Sequence, residues 1–285
     1  MGTTLSMYGP PEAFDEGWEA VVATFRREER RCSRFRPDSE LSRLNRRAGS
    51  WTRLSDGLGS LLRYSLDRAA STEGAFDPTV LRAVESAGYD RDLDEVIRAA
   101  RGVLGPPVPC GRWAEIELGD GEVRLPPGVG LDLGGVAKGW SVDLAVDAAI
   151  SAGIPWVLVA AGGDLRVSEH APLLPIDVDD PEVAGGSILT LLVDRGALAT
   201  SSTAKRSWGT GLHHVIDPRT GAPAITDAIQ VTVWGPTCAD AEVAATVALL
   251  RGTRSVHDAP SVVVGVDGTV RHSIRGDRGP RLEAA

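Results

Sequence analysis

Apolar positions recur at helical spacing along several stretches of the chain. Over 12–30, Phe14, Trp18, Val21, Val22 and Phe25 fall on one face with Glu and Arg between them, which predicts an amphipathic helix. Leu58, Leu61, Leu62, Leu66 and Ala69 predict a second helix over 58–72, stopped by Gly74. Val142, Ala145, Val146, Ala149 and Ile150 predict a third over 137–152, with Gly153 as its stop, and a small-residue helix fits 239–250, ending at Gly252. Elsewhere the period shortens to two. Residues 113–133 predict a hairpin about Asp120-Gly121 and a further strand, and SVVVGVDGTVRHS predicts another hairpin about Asp267-Gly268. WVLVAA, LRVS, ILTLLVD, ALATS and IQVTVWGP each read as a strand. Between them, CSRFRPDSELSRLN is polar and turn-rich, GPPVPCGRW is a Pro/Gly loop, and the charged tail from Gly276 is expected to fray.

Helices and strands alternate without a regular βαβ rhythm, and no internal repeat, low-complexity block or linker interrupts them. The order favours an α+β fold: a single domain of mixed β-sheets with packed helices, arranged as two lobes. It would span 1–252, with the hairpin and tail of 253–285 belonging to the same domain.

Composition narrows the classes of function. With 42% hydrophobic and 24% charged residues in 285, the chain can bury a real core. A net charge of -9 disfavours a nucleic-acid binder that works by neutralising phosphates. It leaves room for a small anionic ligand, because a few local cations and dipoles can outweigh the global sign. Cys32, Cys110 and Cys238 are too sparse for a disulfide framework or a CxxC metal site. No signal-peptide pattern opens the chain, and no apolar run reaches the roughly 18 residues of a membrane span. A cytoplasmic protein without a membrane span is therefore expected.

Candidate chemistry sits in a few short segments. In LDLGGVAKGW, 131–140, two glycines precede Lys138, one of only two lysines in the chain. A glycine turn at a helix N-terminus offers free N–H groups to a phosphate, and a lysine there adds a point charge. That lysine lies unfavourably beside the helix dipole, so a partner is expected. The segment is neither a P-loop nor a GxGxxG fingerprint. AAGGDLRV, 160–167, is a second glycine turn after a strand. HHVIDPRTGAP, 213–223, joins His214 to Asp217, a pair suited to proton transfer near neutral pH. TCADAEVAAT, 237–246, puts Glu242 and Thr246 at i and i+4, so a carboxylate and a hydroxyl share a helix face and can serve a hard cation such as Mg2+. Taken singly, each segment also has a plain reading as a surface lysine, a β-turn, an Asp-Pro turn or an acidic helix N-terminus.

Their order is more informative. SRFRPDSELSRLN, TEGAFDPTV, LDLGGVAKGWSVD, AGGDLRV, ALATSS, HHVIDPRTGAP and the Glu242-x3-Thr246 helix succeed one another from about residue 1 to 252, and the series resembles the ApbE family, the Mg2+-dependent FAD:protein FMN transferases. The resemblance implies an α+β fold built around a flavin site. It implies cleavage of the FAD pyrophosphate, release of AMP, and FMN left esterified to a Thr or Ser hydroxyl of an acceptor protein with a motif like D-x-x-[ST]-G-A-[ST]. Carried over residue by residue, it assigns the FAD site to Met1 with Gly2 and Thr3, Phe35, Ala75, Phe76, Asp77, Asp132, Lys138 and Val215. It assigns Mg2+ to the Gly135 carbonyl, Glu242 and Thr246, and the general base to His214, with Asp217 orienting its loop. Two positions depart from the family pattern: Glu242 stands where the family has Asp, and Ala160 where it often has Asn. An Mg2+-dependent FAD pyrophosphatase, with water as nucleophile, and a non-catalytic flavin-binding protein are the alternatives. Oligomeric state is left open.

Overall fold

The helical periodicities become helices displaced by only one or two residues. The computed structural model describes residues 4–98, 105–209, 212–257, 259–274 and 279–283. Within them the chain forms two compact units, each built from separate stretches, with changes of unit after Arg26, Ala137, Ala204 and Ile225.

One unit takes residues 27–137 and 205–225. It holds the end of α1 (Phe14–Cys32), then α2 (Glu40–Arg46), α3 (Asp56–Ser71), α4 (Leu81–Ser86) and α5 (Leu93–Arg98). The turn-rich reading of CSRFRPDSELSRLN is corrected here, because Ser39 caps α2 by accepting the Ser42 N–H at 3.0 Å. Ser55 caps α3 in the same way. α3 ends as the Gly74 N–H bonds the Ala69 carbonyl at 2.8 Å, with Gly74 at φ 78°. Leu41, Leu44, Leu58, Leu61, Leu62 and Leu125 are fully buried and form the apolar centre. A second cluster gathers Ala83, Val84, Ala87, Tyr89, Trp208 and Ile216, anchored where the Trp208 indole donates to the Ala87 carbonyl at 3.1 Å.

The expected hairpin about Asp120-Gly121 is present as Glu117–Leu118 against Glu122–Arg124, with Gly121 at φ 71°. The further strand of 129–133 is not. Leu131 instead gives its N–H to Asn45 Oδ1 at 2.8 Å, and its carbonyl accepts from Asn45 Nδ2 at 2.9 Å. One buried amide thus supplies both hydrogen bonds that a neighbouring strand would supply, and extended backbone forms without a sheet.

The other unit takes 4–26, 138–204 and 226–283 of the described residues. Its centre is a seven-stranded antiparallel sheet in the order Leu5–Tyr8, Leu158–Ala161, Asp164–Val167, Gly196–Ser202, Ala228–Gly235, Ser261–Gly265, Val270–His272. The turn at Gly162-Gly163 joins the second and third strands with both residues at positive φ, 58° and 97°, which requires glycine in a two-residue hairpin. α6 (Ala137–Ser151) and α7 (Cys238–Arg251) complete the unit with a smaller sheet, Arg281–Leu282, Ser187–Val193 and Leu174–Asp179. On α6, Val142, Ala145, Val146 and Ala149 are buried as expected, but Ile150 is exposed, lying just past the buried stripe. The tail does not fray throughout, since Arg281–Leu282 pairs with Leu191 and Leu192.

Asn45→Ala removes both partners of a buried peptide unit and should cost about 2–4 kcal/mol. Urea denaturation checks this, and a loss below about 0.5 kcal/mol would show that the amide does not hold the 129–133 segment.

Candidate functional site

Lys138 lies in the first turn of α6, and its side chain is only 14% exposed. It pairs with two carboxylates, making a close ion pair with Asp164 Oδ2 and another with Glu242 Oε1 at 3.0 Å. Asp164 begins the strand after the Gly162-Gly163 turn and is fully buried, and its Oδ1 accepts the Thr200 N–H at 3.1 Å. Glu242 points inward from α7, and its Oε2 accepts the Gly139 N–H at 2.8 Å. Gly139 must be glycine, because a Cβ there would lie 2.5 Å from the Cys238 carbonyl oxygen. The partner that the dipole argument demands for Lys138 is therefore a pair of buried acids. One cation against two anions leaves a single net negative charge.

One turn along α7 from Glu242, Thr246 Oγ1 lies 3.1 Å from Ser201 Oγ. Asp240 points elsewhere. It forms a reciprocal cap with Thr237, whose Oγ1 accepts the Asp240 N–H at 3.1 Å and donates to Asp240 Oδ2 at 2.7 Å. The acidic start of α7 thus serves two ends, Asp240 the helix and Glu242 the cluster. Asp143 adds a second cap by accepting the Cys238 and Ala239 N–H groups at 2.9 Å each. Burial pushes the Asp143 carboxyl up, against the pull of those two amides and of Arg166.

Asp164, Glu242, Thr246 and Ser201 carry oxygen donors of the kind a hard cation takes. Among the described residues, no three His, Cys, Asp or Glu side chains converge as a self-contained metal cage. The donor chemistry fits Mg2+, which characteristically uses one or two carboxylates and completes its shell from water and substrate phosphates.

The remaining assigned residues lie in the other unit. Asp132 Oδ2 meets Arg34 Nε at 3.1 Å, and Asp132 Oδ1 accepts the Gly134 N–H at 2.7 Å. Gly135 follows in the turn that enters α6, where the Val136 and Ala137 N–H groups both bond the Leu133 carbonyl. Phe35 is 41% exposed, with its ring 5.5 Å from that of Tyr89. Ala75 is half-buried, and Phe76 and Asp77 are buried. Asp77 Oδ1 accepts both the N–H and the hydroxyl of Thr79, and its Oδ2 accepts the Gly111 N–H at 2.6 Å, so this carboxylate shapes its own loop.

His214 presents its ring edge-on to Tyr89 at 6.5 Å. Its neighbour Val215 is buried, and the Val215 carbonyl accepts the Ala224 N–H at 2.9 Å. Asp217 is held by Arg219 through the backbone N–H at 2.9 Å and the guanidinium at 2.7 Å, which keeps its carboxyl below the usual range. The Asp217 carbonyl also accepts from Thr220 and Gly221, closing the turn. His213 points away into protein, with Nε2 3.1 Å from the Ala224 carbonyl, and burial lowers its pKa from the ordinary 6.5. Met1, Gly2 and Thr3 lie outside the described residues. None of the cysteines is a poised nucleophile: burial pushes Cys32 and Cys110 up to about 12, and Cys238 well above its ordinary value.

Asp164, Ser201, Arg34 and Tyr89 are the residues that sequence reasoning missed. For Asp164 a signal existed, since an acid directly after a two-glycine hairpin turn sits at the mouth of a sheet.

A profile of the ApbE family matches residues 1–259, and the chain belongs to that family. It is 33% identical over 263 residues to an FAD:protein FMN transferase of Rhodobacter capsulatus, covering 88% of this chain and 50% of that protein. It is 30% identical over 262 residues to an FAD:protein FMN transferase of Treponema pallidum, covering 82% of this chain and 71% of that one. The chain thus spans only half the length of the Rhodobacter relative. Among solved structures it resembles the ApbE protein of Thermotoga maritima, with a TM-score of 0.82 at 26% identity over 95% of this chain and 94% of that one. That likeness, with 34% helix and 25% strand, agrees with the α+β class expected from the sequence. No helix among the described residues is long and apolar enough to cross a membrane.

Two predictions follow from this geometry. Lys138→Met leaves two buried carboxylates without their shared cation and should cost about 3–5 kcal/mol by urea denaturation at neutral pH; an unchanged midpoint would mean the cluster is not held as an ion network. His213 is buried neutral, so its folded pKa lies below its unfolded value. Its stabilising contribution is full above pH 6.5 and is lost as pH falls from 6.5 toward the folded pKa. Denaturation midpoints measured from pH 7.5 to 5.5 should decline in the wild type and decline less in His213→Gln. Asp217, also lowered, acts only below its ordinary 3.8 and does not confuse that window.

Proposed function

We propose that this protein is an FAD:protein FMN transferase, moving FMN from FAD to a Thr or Ser hydroxyl of an acceptor protein with release of AMP. The observation that supports it most directly is the half-buried ammonium of Lys138 between Asp164 and Glu242, the latter one helical turn from Thr246. That cluster is net negative and rich in oxygen, so it would repel a bare pyrophosphate and suits one that arrives with a divalent cation. Glu242, Thr246 and the Gly135 carbonyl would hold Mg2+, which would supply positive charge to neutralise the pyrophosphate as it is cleaved.

This chain's own residues carry the rest. Phe35 offers an exposed ring for the flavin, and Asp132, Ala75, Phe76, Asp77 and Val215 line the FAD site. Lys138 holds Glu242 and Asp164 in register and adds positive charge beside the phosphates. His214 takes the proton from the incoming hydroxyl, whose oxygen attacks the FMN phosphorus. The P–O bond to the bridging oxygen breaks, and that electron pair leaves with AMP. Asp217, locked by Arg219, keeps the His214 loop in shape. The acceptor is a protein bearing a D-x-x-[ST]-G-A-[ST]-like segment. The three free cysteines suit a reducing compartment such as the cytoplasm.

AMP release from FAD should require Mg2+ and be abolished by chelator, and an acceptor peptide carrying that motif should gain the mass of one FMN. AMP without acceptor labelling would instead identify an FAD pyrophosphatase, and FAD binding without AMP a flavin-binding protein. His214→Ala should lower transfer by about 10²-fold or more while FAD affinity is kept. Normal labelling by that variant would remove His214 as the base.

A further inference from the structure

Arg34 occupies an unusual place for a charged side chain. It lies between α1 and α2, only 8% exposed. Its guanidinium carbon sits 4.1 Å from the centre of the Phe35 ring and 4.4 Å from that of Tyr89. Nε pairs with Asp132 at 3.1 Å, and Nη1 donates to the Tyr89 carbonyl at 2.8 Å. The remaining Nη2 is buried without a hydrogen-bond partner among the described residues. A buried donor left unmade is costly, so the position of this group is imposed by its neighbours and not by saturation of its own donors. Those neighbours are the point. Asp132 is clamped from one side by Arg34 and from the other by the Gly134 N–H. Tyr89 in turn packs against Trp208 at 5.4 Å and against His214 edge-on at 6.5 Å.

We infer that Arg34 is a positioning residue for flavin binding: one planar guanidinium fixes the Asp132 carboxylate and the Phe35 ring together, and through the Tyr89 ring it steadies the side on which His214 stands. The inference rests on the proposed transferase reading, which assigns Asp132 and Phe35 to FAD. Arginine is needed because the role combines stacking on ring faces with directed donors set in one plane. Lysine, a point charge on a flexible stem, supplies neither.

The test is FAD affinity, followed by quenching of flavin fluorescence on the full chain, for wild type, Arg34→Met, Arg34→Lys, Asp132→Asn and the Arg34→Met/Asp132→Asn double variant. Circular dichroism and melting temperature are measured alongside. Arg34→Met and Arg34→Lys should each weaken FAD binding by about tenfold and raise KM more than they lower kcat. Asp132→Asn should cost much less in the Arg34→Met background than in the wild type, because the two residues act as one unit. A purely structural arginine would lower the melting temperature and leave affinity additive. FAD affinity within about twofold of wild type in Arg34→Met, or full additivity with Asp132→Asn, overturns the inference. Should Arg34→Met not fold, Arg34→Lys, which keeps the charge and the stem, decides the same question. Wild-type protein that fails to bind FAD at all would instead remove the transferase reading itself, an outcome read before any variant is compared.

Discussion

The ammonium of Lys138 between two buried carboxylates is the constraint around which its unit is arranged. Charges taken out of water are tolerated only when partners are close and well aimed, and here one strand supplies Asp164 and α7 supplies Glu242. Asp164 reaches the site because Gly162 and Gly163 adopt left-handed backbone and reverse the chain within two residues. Glu242 reaches it because Gly139 lets α6 meet the start of α7 with no side chain between the backbones. The glycines of LDLGGVAKGW are therefore not interchangeable. Gly139 permits close approach and donates its N–H to Glu242, whereas Gly134 donates to Asp132.

In the other unit, polar side chains do work that sheets normally do. Asn45 replaces a strand beside Leu131, Asp132 accepts an amide of its own loop, Asp77 accepts one from its own loop and one from Gly111, and Asp217 fixes its turn through Arg219. Such segments are extended or looped yet held, because side chains partner the backbone groups at these positions. A site built on loops gains precision this way, since each loop is closed by a carboxylate or an amide rather than by length of sheet.

Much of this was legible beforehand, and the boundary between legible and illegible has a physical basis. The helices containing Val142 and Leu61 and the hairpins at Gly121 and Gly268 are encoded locally, by period and by turn residues, and they appear where expected. The failures have separate causes. The strand expected at 129–133 has strand-like periodicity but takes its hydrogen bonds from Asn45, 86 residues away. α2 was hidden because RPDSELSRLN is polar, yet Ser39 caps it and Leu41 and Leu44 are buried on it. Ile150 matches the apolar spacing of α6 but falls at the edge of the stripe. At the site, the resemblance assigned Glu242 and Thr246, with the Gly135 carbonyl, to a metal and Lys138 to the FAD site. It did not point to Arg34, whose significance lies in contacts that only the folded chain creates, and it contained Asp164 within AGGDLRV without giving it a role.

Glu242 is the position where the family pattern and this chain differ most consequentially, and the geometry gives the difference a physical sense. Its two oxygens have separate duties, Oε2 accepting the Gly139 N–H and Oε1 facing the Lys138 ammonium. The added methylene of Glu over Asp gives the carboxylate the reach to meet both while rooted in α7. Each of these contacts draws electron density from the carboxylate and weakens it as a ligand. Against that stands the net negative charge of the whole cluster, two carboxylates to one ammonium, which no single contact cancels. For a polyanionic substrate such a site is repulsive until a cation is added. Metal dependence under the proposed reading is thus a consequence of charge balance, set as much by Asp164 as by the residue that replaces the family's aspartate.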